Sequence, residues 1–271
     1  MQKRALCALV SLALCATLAG PTFAAESGVE FVVNGTALET KVASEVVDGN
    51  TYVSYWPIVK ALYPSATATW INSQAEVTAP GLSLRIKPGA KYIEANDRYL
   101  YVPDGVKSDA NNILVPVRTL CKALGAIVSW DGTNSDILIT SGSGPITSGE
   151  QTYQADVVYW LSRIINAESG NQSLEGKIAV GNVVLNRVAS SKFPNTVYEV
   201  IFQRNQFTPA RNGSIYRTPN AESVVAAKLC LEGVNTAGNA LYFVNPVTAP
   251  GSWASRNRPY VATIGAHAFF A

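Results

Sequence analysis

The sequence predicts two domains: a small α/β repeat domain over residues 29–140, then a mainly α-helical (α+β) domain over residues 154–271. Three observations predict this. The first half contains an internal repeat, a Gly/Ser/Thr-rich stretch interrupts the middle, and apolar residues in the second half recur at helical spacing.

The repeat comes first. Tyr52-Val-Ser-Tyr-Trp-Pro-Ile-Val-Lys-Ala-Leu62 is echoed by Leu114-Val-Pro-Val-Arg-Thr-Leu-Cys-Lys-Ala-Leu124, and each copy runs on to a tryptophan, Trp70 or Trp130. Each unit reads as a short strand, one or two helical turns, and a second strand entered near the tryptophan. Gly125 directly after Leu124 is a helix stop. Residues 141–153 have no apolar periodicity and are rich in Gly, Ser and Thr, so they read as a linker.

In the second half, Val157, Trp160, Leu161, Ile164 and Ile165 lie on one face of a helix expected from Gln154 to Ala167. Asp156 near its start favours the positive end of the helix dipole, and Ser169-Gly170-Asn171 should end it. A second helix is expected from Leu174 to Ala189, with Ser173 as N-cap and Glu175 in the first turn. A third is expected from Ala221 to Leu231, stopping at Gly233. Polar, aromatic loops lie between and after them, at Asn205–Pro209 and Leu241–Pro246.

Residues 1–25 read as a secretory signal peptide: Lys3 and Arg4, an uncharged apolar run from Ala5 to Leu18, then small residues up to Ala24 and Ala25. The expectation is a secreted protein with no membrane attachment after cleavage, since the run is short of the ~20 residues a bilayer requires. Residues 25–150 carry 9 Lys+Arg against 13 Asp+Glu, a net of −4, whereas residues 151–271 carry 10 against 6, a net of +4. A cationic second half suits a polyanionic partner, but no basic run or basic helix face favours nucleic acid. Only Cys121 and Cys230 would remain after cleavage, too few and too distant for a disulfide framework, so both are expected to be buried as small hydrophobes.

Glu168 occupies an unusual position. Val157, Leu161, Ile164 and Glu168 are spaced four, three and four apart, so the carboxylate continues the apolar stripe at the helix C-terminus. Partial burial and the negative end of the helix dipole both raise its pKa, as a general acid requires. Spacing alone, however, favours a solvated helix-end glutamate at the edge of the stripe, since such glutamates are common. The alternatives for chemistry are few. The second half has a single histidine, His267, which cannot supply a zinc ligand cluster, so no metal and no cofactor are expected. Cys230 near a helix C-terminus is poorly placed as a nucleophile paired with His267. A triad of Ser, His267 and Asp156 has no G-x-S-x-G elbow to serve it. A glycosidase using one strong acid survives best.

Two family resemblances sharpen this. From Val32 to Thr140, and most clearly in NNILVPVRTLCKALGAIVSWDGTNSDILIT, the chain resembles the copper-amine-oxidase N-terminal-like module. That half contains no histidine, so copper chemistry is not implied. Wall attachment and a folded stalk without affinity are equally open for it. The second half resembles the SleB/CwlJ cell-wall hydrolases in INAESGNQSLEGKIAVGNVVLNRV, FPNTVYEVIFQRNQFTP, IYRTPN, ALYFVNP and IGAHAFF, in family order.

This second resemblance implies a lysozyme-like, mostly helical catalytic domain with Glu168, in the N-A-E segment, as the catalytic residue. It also implies peptidoglycan glycan strands as substrate, a cell-wall or spore-cortex location in a bacterium, and an accessory wall or spore protein as a further partner. Where the family usually has another Glu, four residues on, this chain has Gln172, while Glu175 matches a recurring acidic position. The expected reaction is lytic transglycosylation between N-acetylmuramic acid and N-acetylglucosamine, which needs one acid because the sugar's own hydroxyl is the nucleophile. Gln206, Thr208, Tyr242 and Asn245 are candidate sugar contacts, being polar or aromatic residues in loops. Two alternatives stand beside this reading. One is a hydrolytic muramidase with Glu175 as second carboxylate and base, and the other is a non-enzymatic wall-binding protein. Asp156 lies about 18 Å along the helix from Glu168, too far to pair with it. Glu199, Glu222 and Glu232 read as exterior.

Overall fold

A computed structural model describes residues 29–109 and 111–271. The signal-peptide expectation lies outside the described residues. The first half begins with β1 (Phe31–Val33), β2 (Thr36–Ala37), β3 (Ser44–Val47), β4 (Asn50–Ser54) and helix α1 (Tyr55–Leu62). It continues through the strands β5 (Thr67–Ile71), β6 (Gln74–Ala79), β7 (Leu82–Ile86), β8 (Tyr92–Ala95) and β9 (Arg98–Tyr101). The second repeat follows as β10 (Lys107–Ser108), β11 (Ile113–Pro116), α2 (Val117–Leu124), β12 (Ala126–Asp131) and β13 (Asp136–Ser141).

Both repeat units therefore form strand–helix–strand, with Trp70 on β5 and Trp130 on β12. Their central strands β4 and β11 pair antiparallel within the sheet β10-β11-β4-β3. β1 closes the domain by pairing parallel with β13 in the sheet β12-β13-β1-β2. Strands β5 to β9 form an antiparallel meander that repeat spacing did not reveal. Its β5–β6 and β8–β9 turns, Asn72-Ser73 and Asn96-Asp97, put both central residues at positive φ, the geometry that matches strand twist in two-residue hairpins. Gly125 ends α2 with φ 63°, and a Cβ there would fall 1.6 Å from the Gly144 carbonyl oxygen, so only glycine fits.

The connection is ordered against the first half rather than loose. The Ile146 N–H donates to the Ala123 carbonyl at 3.2 Å, and Asn96 Nδ2 donates to the Ile146 carbonyl at 2.8 Å. Ser148 then caps a short helix, α3 (Gly149–Thr152), inside the stretch whose composition predicts a linker.

The second half comprises α4 (Ala155–Ser169), α5 (Leu174–Ala189), α6 (Val197–Phe202), α7 (Thr208–Asn212), a 3-10 turn (Ser214–Tyr216) and α8 (Ala221–Leu231). It ends with β14 (Tyr242–Val244), α9 (Trp253–Asn257), β15 (Tyr260–Ile264) and β16 (His267–Phe270). The three long helices fall where the apolar spacing and caps place them. Ser173 Oγ accepts from the Gly176 N–H at 3.3 Å, and Asn220 Oδ1 accepts from the Ser223 N–H at 2.8 Å. Helices α4, α5 and α8 pack on one another around Leu161, Ile164, Ile165, Ile178, Val183 and Leu229. Gly181 permits that approach: a Cβ there would sit 2.7 Å from Cys230 Sγ and 2.8 Å from Ile165 Cδ1. The sheet β14-β16-β15 lies against α5.

Each half has its own hydrophobic core. Between them, the rings of Tyr92, Tyr99 and Tyr101 from the meander pack against the second core. Glu232 corrects an expectation here. It reads as exterior in the sequence, yet its carboxylate is only 4% exposed and receives four donors. Arg98 donates through Nε at 2.6 Å and Nη2 at 2.9 Å, Lys122 Nζ at 3.0 Å and Tyr153 Oη at 2.8 Å. Lys228 reaches back to Asp97 at 2.6 Å. Glu232 ends a helix on a surface that the first half covers, which local pattern could not reveal.

Candidate active site

Glu168 lies in the last turn of α4, one turn beyond Ile164 and Ile165, both fully buried. Its side chain is partly withdrawn from water, and burial pushes its carboxyl up to about 7. Its place at the negative end of α4 acts in the same direction.

The turn carrying Glu168 is held from two sides. Asn166 Oδ1 accepts from the Asn220 N–H at 3.0 Å and from Ser223 Oγ at 3.3 Å. Asn220 Nδ2 donates back to the Gly170 carbonyl at 3.0 Å. Beyond Gly170, Gln172 Oε1 accepts from the Ala266 N–H at 2.9 Å, which ties the α4–α5 corner to the β15–β16 turn. Lys177, almost fully buried, donates to the Gln172 carbonyl at 2.5 Å and pairs with Glu222. Asn166, Gln172 and Asn220 were not singled out by sequence reasoning as supports. The asparagine beside Glu168 and the helix-cap position of Asn220 were the available signals.

The candidate sugar contacts gather on two neighbouring segments. Gln206 and Thr208 are exposed on either side of buried Phe207. The Phe207 ring faces Phe243 of β14 at 6.4 Å between centroids. Beneath both segments lies Arg187, almost fully buried, its guanidinium 5.1 Å from the Phe207 ring and 5.5 Å from the Tyr242 ring. Arg187 Nε donates to the Leu241 carbonyl at 2.7 Å, and burial pushes this guanidinium down to about 10. Tyr242 is half-buried and also meets Trp253 edge-on. Asn245 spends Oδ1 on its own turn, accepting from Val247 N–H at 2.9 Å and Thr248 N–H at 3.3 Å.

The candidate second carboxylate stands apart from this. Glu175 pairs with Lys91 of the first half. Burial alone would raise its pKa, but the Lys91 hydrogen bond, its own N–H and the Lys91 charge hold it below the usual carboxylate range. Glu199 is exposed; its N–H donates to the Thr196 cap at 3.2 Å, and its carboxylate accepts from the Thr196 hydroxyl at 2.9 Å. His267 is buried beside Phe243, and burial lowers its pKa. Cys230 is buried, its thiol pushed far up and directed to the Ile178 carbonyl. Among the described residues, no group of three His, Cys, Asp or Glu side chains could hold a metal ion.

Residues 171–270 match the family model for Cell Wall Hydrolase. The second half is a cell wall hydrolase domain. Residues 32–139 and 95–155 match the model for the Copper amine oxidase N-terminal domain, so a domain of that type precedes it. The chain is similar to the spore cortex-lytic enzyme of Bacillus cereus, 39% identical over 117 residues that cover 43% of this chain and 45% of that one. It is 35% identical to the spore cortex-lytic enzyme of Oceanobacillus iheyensis over 147 residues, 50% of this chain and 53% of the relative. The chain thus spans about half the length of these curated relatives. It also matches the crystal structure of the catalytic domain of the Bacillus cereus SleB protein, at 39% identity over 44% of this chain and 92% of that one, with a TM-score of 0.41. The residues matched to the cell wall hydrolase model begin three positions after Glu168. The role of that glutamate therefore rests on its own surroundings.

Proposed function

We propose that this protein is an exported bacterial enzyme that cleaves the glycan strands of peptidoglycan as a lytic transglycosylase, acting in the cell wall or spore cortex. The observation that carries the reading is Glu168, a carboxyl that burial alone pushes up to about 7, at the edge of a domain of cell wall hydrolase type. A carboxyl with this pKa is protonated often enough near neutrality to donate, and is basic enough afterwards to take a proton back.

In the proposed reaction Glu168 gives its proton to the oxygen linking N-acetylmuramic acid to N-acetylglucosamine. The bond from the muramoyl C1 to that oxygen breaks. The muramoyl 6-hydroxyl attacks C1 and yields its proton to the Glu168 carboxylate, which closes a 1,6-anhydro ring and restores the acid. No water is consumed. The nucleophile belongs to the substrate, so its high effective molarity replaces a second carboxylate. Glu175, occupied by Lys91 and held below the usual carboxylate range, is a weakened base for activating water, which counts against the hydrolytic alternative. Gln206, Thr208 and Tyr242 are read as sugar contacts, with Arg187 fixing Phe207 and Tyr242 from below. We read the helical half as lysozyme-like in arrangement.

Mass spectrometry of muropeptides released from purified peptidoglycan tests this. Products lighter by one water than reducing ends, and resistant to borohydride, are expected. Reducible products labelled in heavy-oxygen water would show a hydrolase, and reducing N-acetylglucosamine ends would show that another bond is cut.

A further inference from the structure

The first half holds a cleft of about 940 Å³ between the start of α1 and the exposed face of β5. Tyr55 and Trp56 line it from the helix, and Trp70, 60% exposed, lines it from the strand. Lys41, Lys87 and Asn112 lie on its walls. Asp109 also lines it, but its carboxylate accepts from the Asn111 and Asn112 N–H groups and the Asn112 amide, so the cleft's acidic group is spent on its own loop.

The internal repeat supplies a control within the same molecule. The equivalent place in the second unit, between the start of α2 and Trp130 on β12, is a hollow of only about 70 Å³. There Val117 and Arg118 stand where the first unit has Tyr55 and Trp56. The two units share a backbone plan and an exposed tryptophan, 56% exposed in the second. What differs is the two rings on the helix start and the outer walls, which Lys87, Asp109 and Asn112 supply only to the first unit. The open aromatic cleft is therefore not a by-product of the repeated strand–helix–strand plan.

We propose that this cleft binds a glycan strand of peptidoglycan, separately from the active site. Aromatic faces match the apolar C–H faces of pyranose rings, while polar groups at the rim take their hydroxyls and amides. Exposed Lys87, on the wall of a half whose net charge is −4, matches the carboxylates that stem peptides carry along the strand. The choice of polymer rests on the function proposed above, and binding itself needs no cleavage. Tethering by this cleft raises the local concentration of the second half at the wall.

The test uses the full chain carrying Glu168→Gln, which holds the glycan without cutting it, sedimented with purified peptidoglycan sacculi freed of teichoic acid. In that background Trp70→Ala and Lys87→Glu, both changes at exposed positions, are expected to weaken retention about tenfold or more. Trp130→Ala, the repeat-equivalent change, is expected to leave retention unchanged. Equal retention by all of these chains, or an equal loss from Trp70→Ala and Trp130→Ala, overturns the proposal. With Glu168 intact, Trp70→Ala should still cleave short soluble glycan fragments at the unsubstituted rate. Failure of the unsubstituted chain to cleave any glycan would count against the proposed reaction and leave the retention result standing.

Discussion

Asn166 and Asn220 form a reciprocal clasp around the turn that carries Glu168. The Asn166 side-chain oxygen takes the Asn220 N–H, and the Asn220 side-chain amide returns a bond to the Gly170 carbonyl, both at 3.0 Å. The same Asn220 caps α8 through Oδ1. Replacing it with alanine removes the cap and the return bond together, and the expected cost is about 1–3 kcal/mol in denaturant unfolding. Because the lost bond lies beside Glu168, the rate of glycan cleavage should also fall, by about tenfold or more. Unfolding shifted without any change in rate would make the clasp purely structural.

Activity should depend on the protonated form of Glu168. With its carboxyl at about 7, kcat/KM is expected to fall as pH rises above neutrality, with a limb near that value. Glu168→Gln should fold, lose at least about 10²-fold in rate, and show no such limb in whatever activity remains. An alkaline limb persisting unchanged in that variant assigns it to another group.

The same group makes a prediction about stability, with a definite sign. A carboxyl whose folded pKa is raised contributes stability that is fully present below the unfolded value of 4.5 and lost as pH rises through about 7. Glu168→Gln removes this loss. The variant should match the unsubstituted chain near pH 4 and be more stable at pH 8, by on the order of 2–3 kcal/mol. Thermal melts at the two pH values read this directly, and equal stability at pH 8 would mean that Glu168 is better solvated than its surroundings imply.

Glu175→Gln separates the two reaction types. Its pair with Lys91 is half-exposed, so stability should change by less than about 1 kcal/mol. Cleavage rate should stay within about threefold, with anhydro ends still produced. A rate loss of two orders of magnitude would instead make Glu175 the base of a hydrolase.

The two halves are joined by a buried charge. Glu232→Ala leaves Arg98, itself only 15% exposed, without its partner, and the expected cost is about 3 kcal/mol. For the unsubstituted chain, burial raises the Glu232 pKa, but the donors Arg98, Tyr153 and Lys122 outweigh it and hold it low. The joint's contribution is therefore present above the ordinary glutamate pKa and lost as pH falls through the depressed value. Protection of the joint's backbone amides in hydrogen exchange should drop in Glu232→Ala and on acidification. Unchanged protection in both would remove Glu232 from the joint.

What was legible in the sequence was local. The periodicity of α4, the Ser173 cap, the Gly125 stop and the repeated strand–helix–strand units depend on residues within a few positions of one another, and all are present in the fold. Glu168 was legible for the same reason, since its place on the stripe follows from helix spacing alone. Burial then raises its pKa as that place implies. The meander from β5 to β9 was less visible because its pairing is set by turn geometry and cross-strand packing, with little repeat signal of its own.

The sequence by itself determined the elements, their caps and the position of the candidate acid, because hydrogen bonds between near neighbours and side-chain period settle those. Only the tertiary structure decided how the remaining charges are used. Glu232 meets Arg98 across 134 positions, Glu175 meets Lys91 across 84, and Asn166 meets Asn220 across 54. It also decided that Trp56 and Trp70 share an open cleft while Trp130 does not. A charge or ring at a helix end looks the same in sequence whether it faces water or another domain. The physical difference is desolvation, which exists only once the distant surface has arrived.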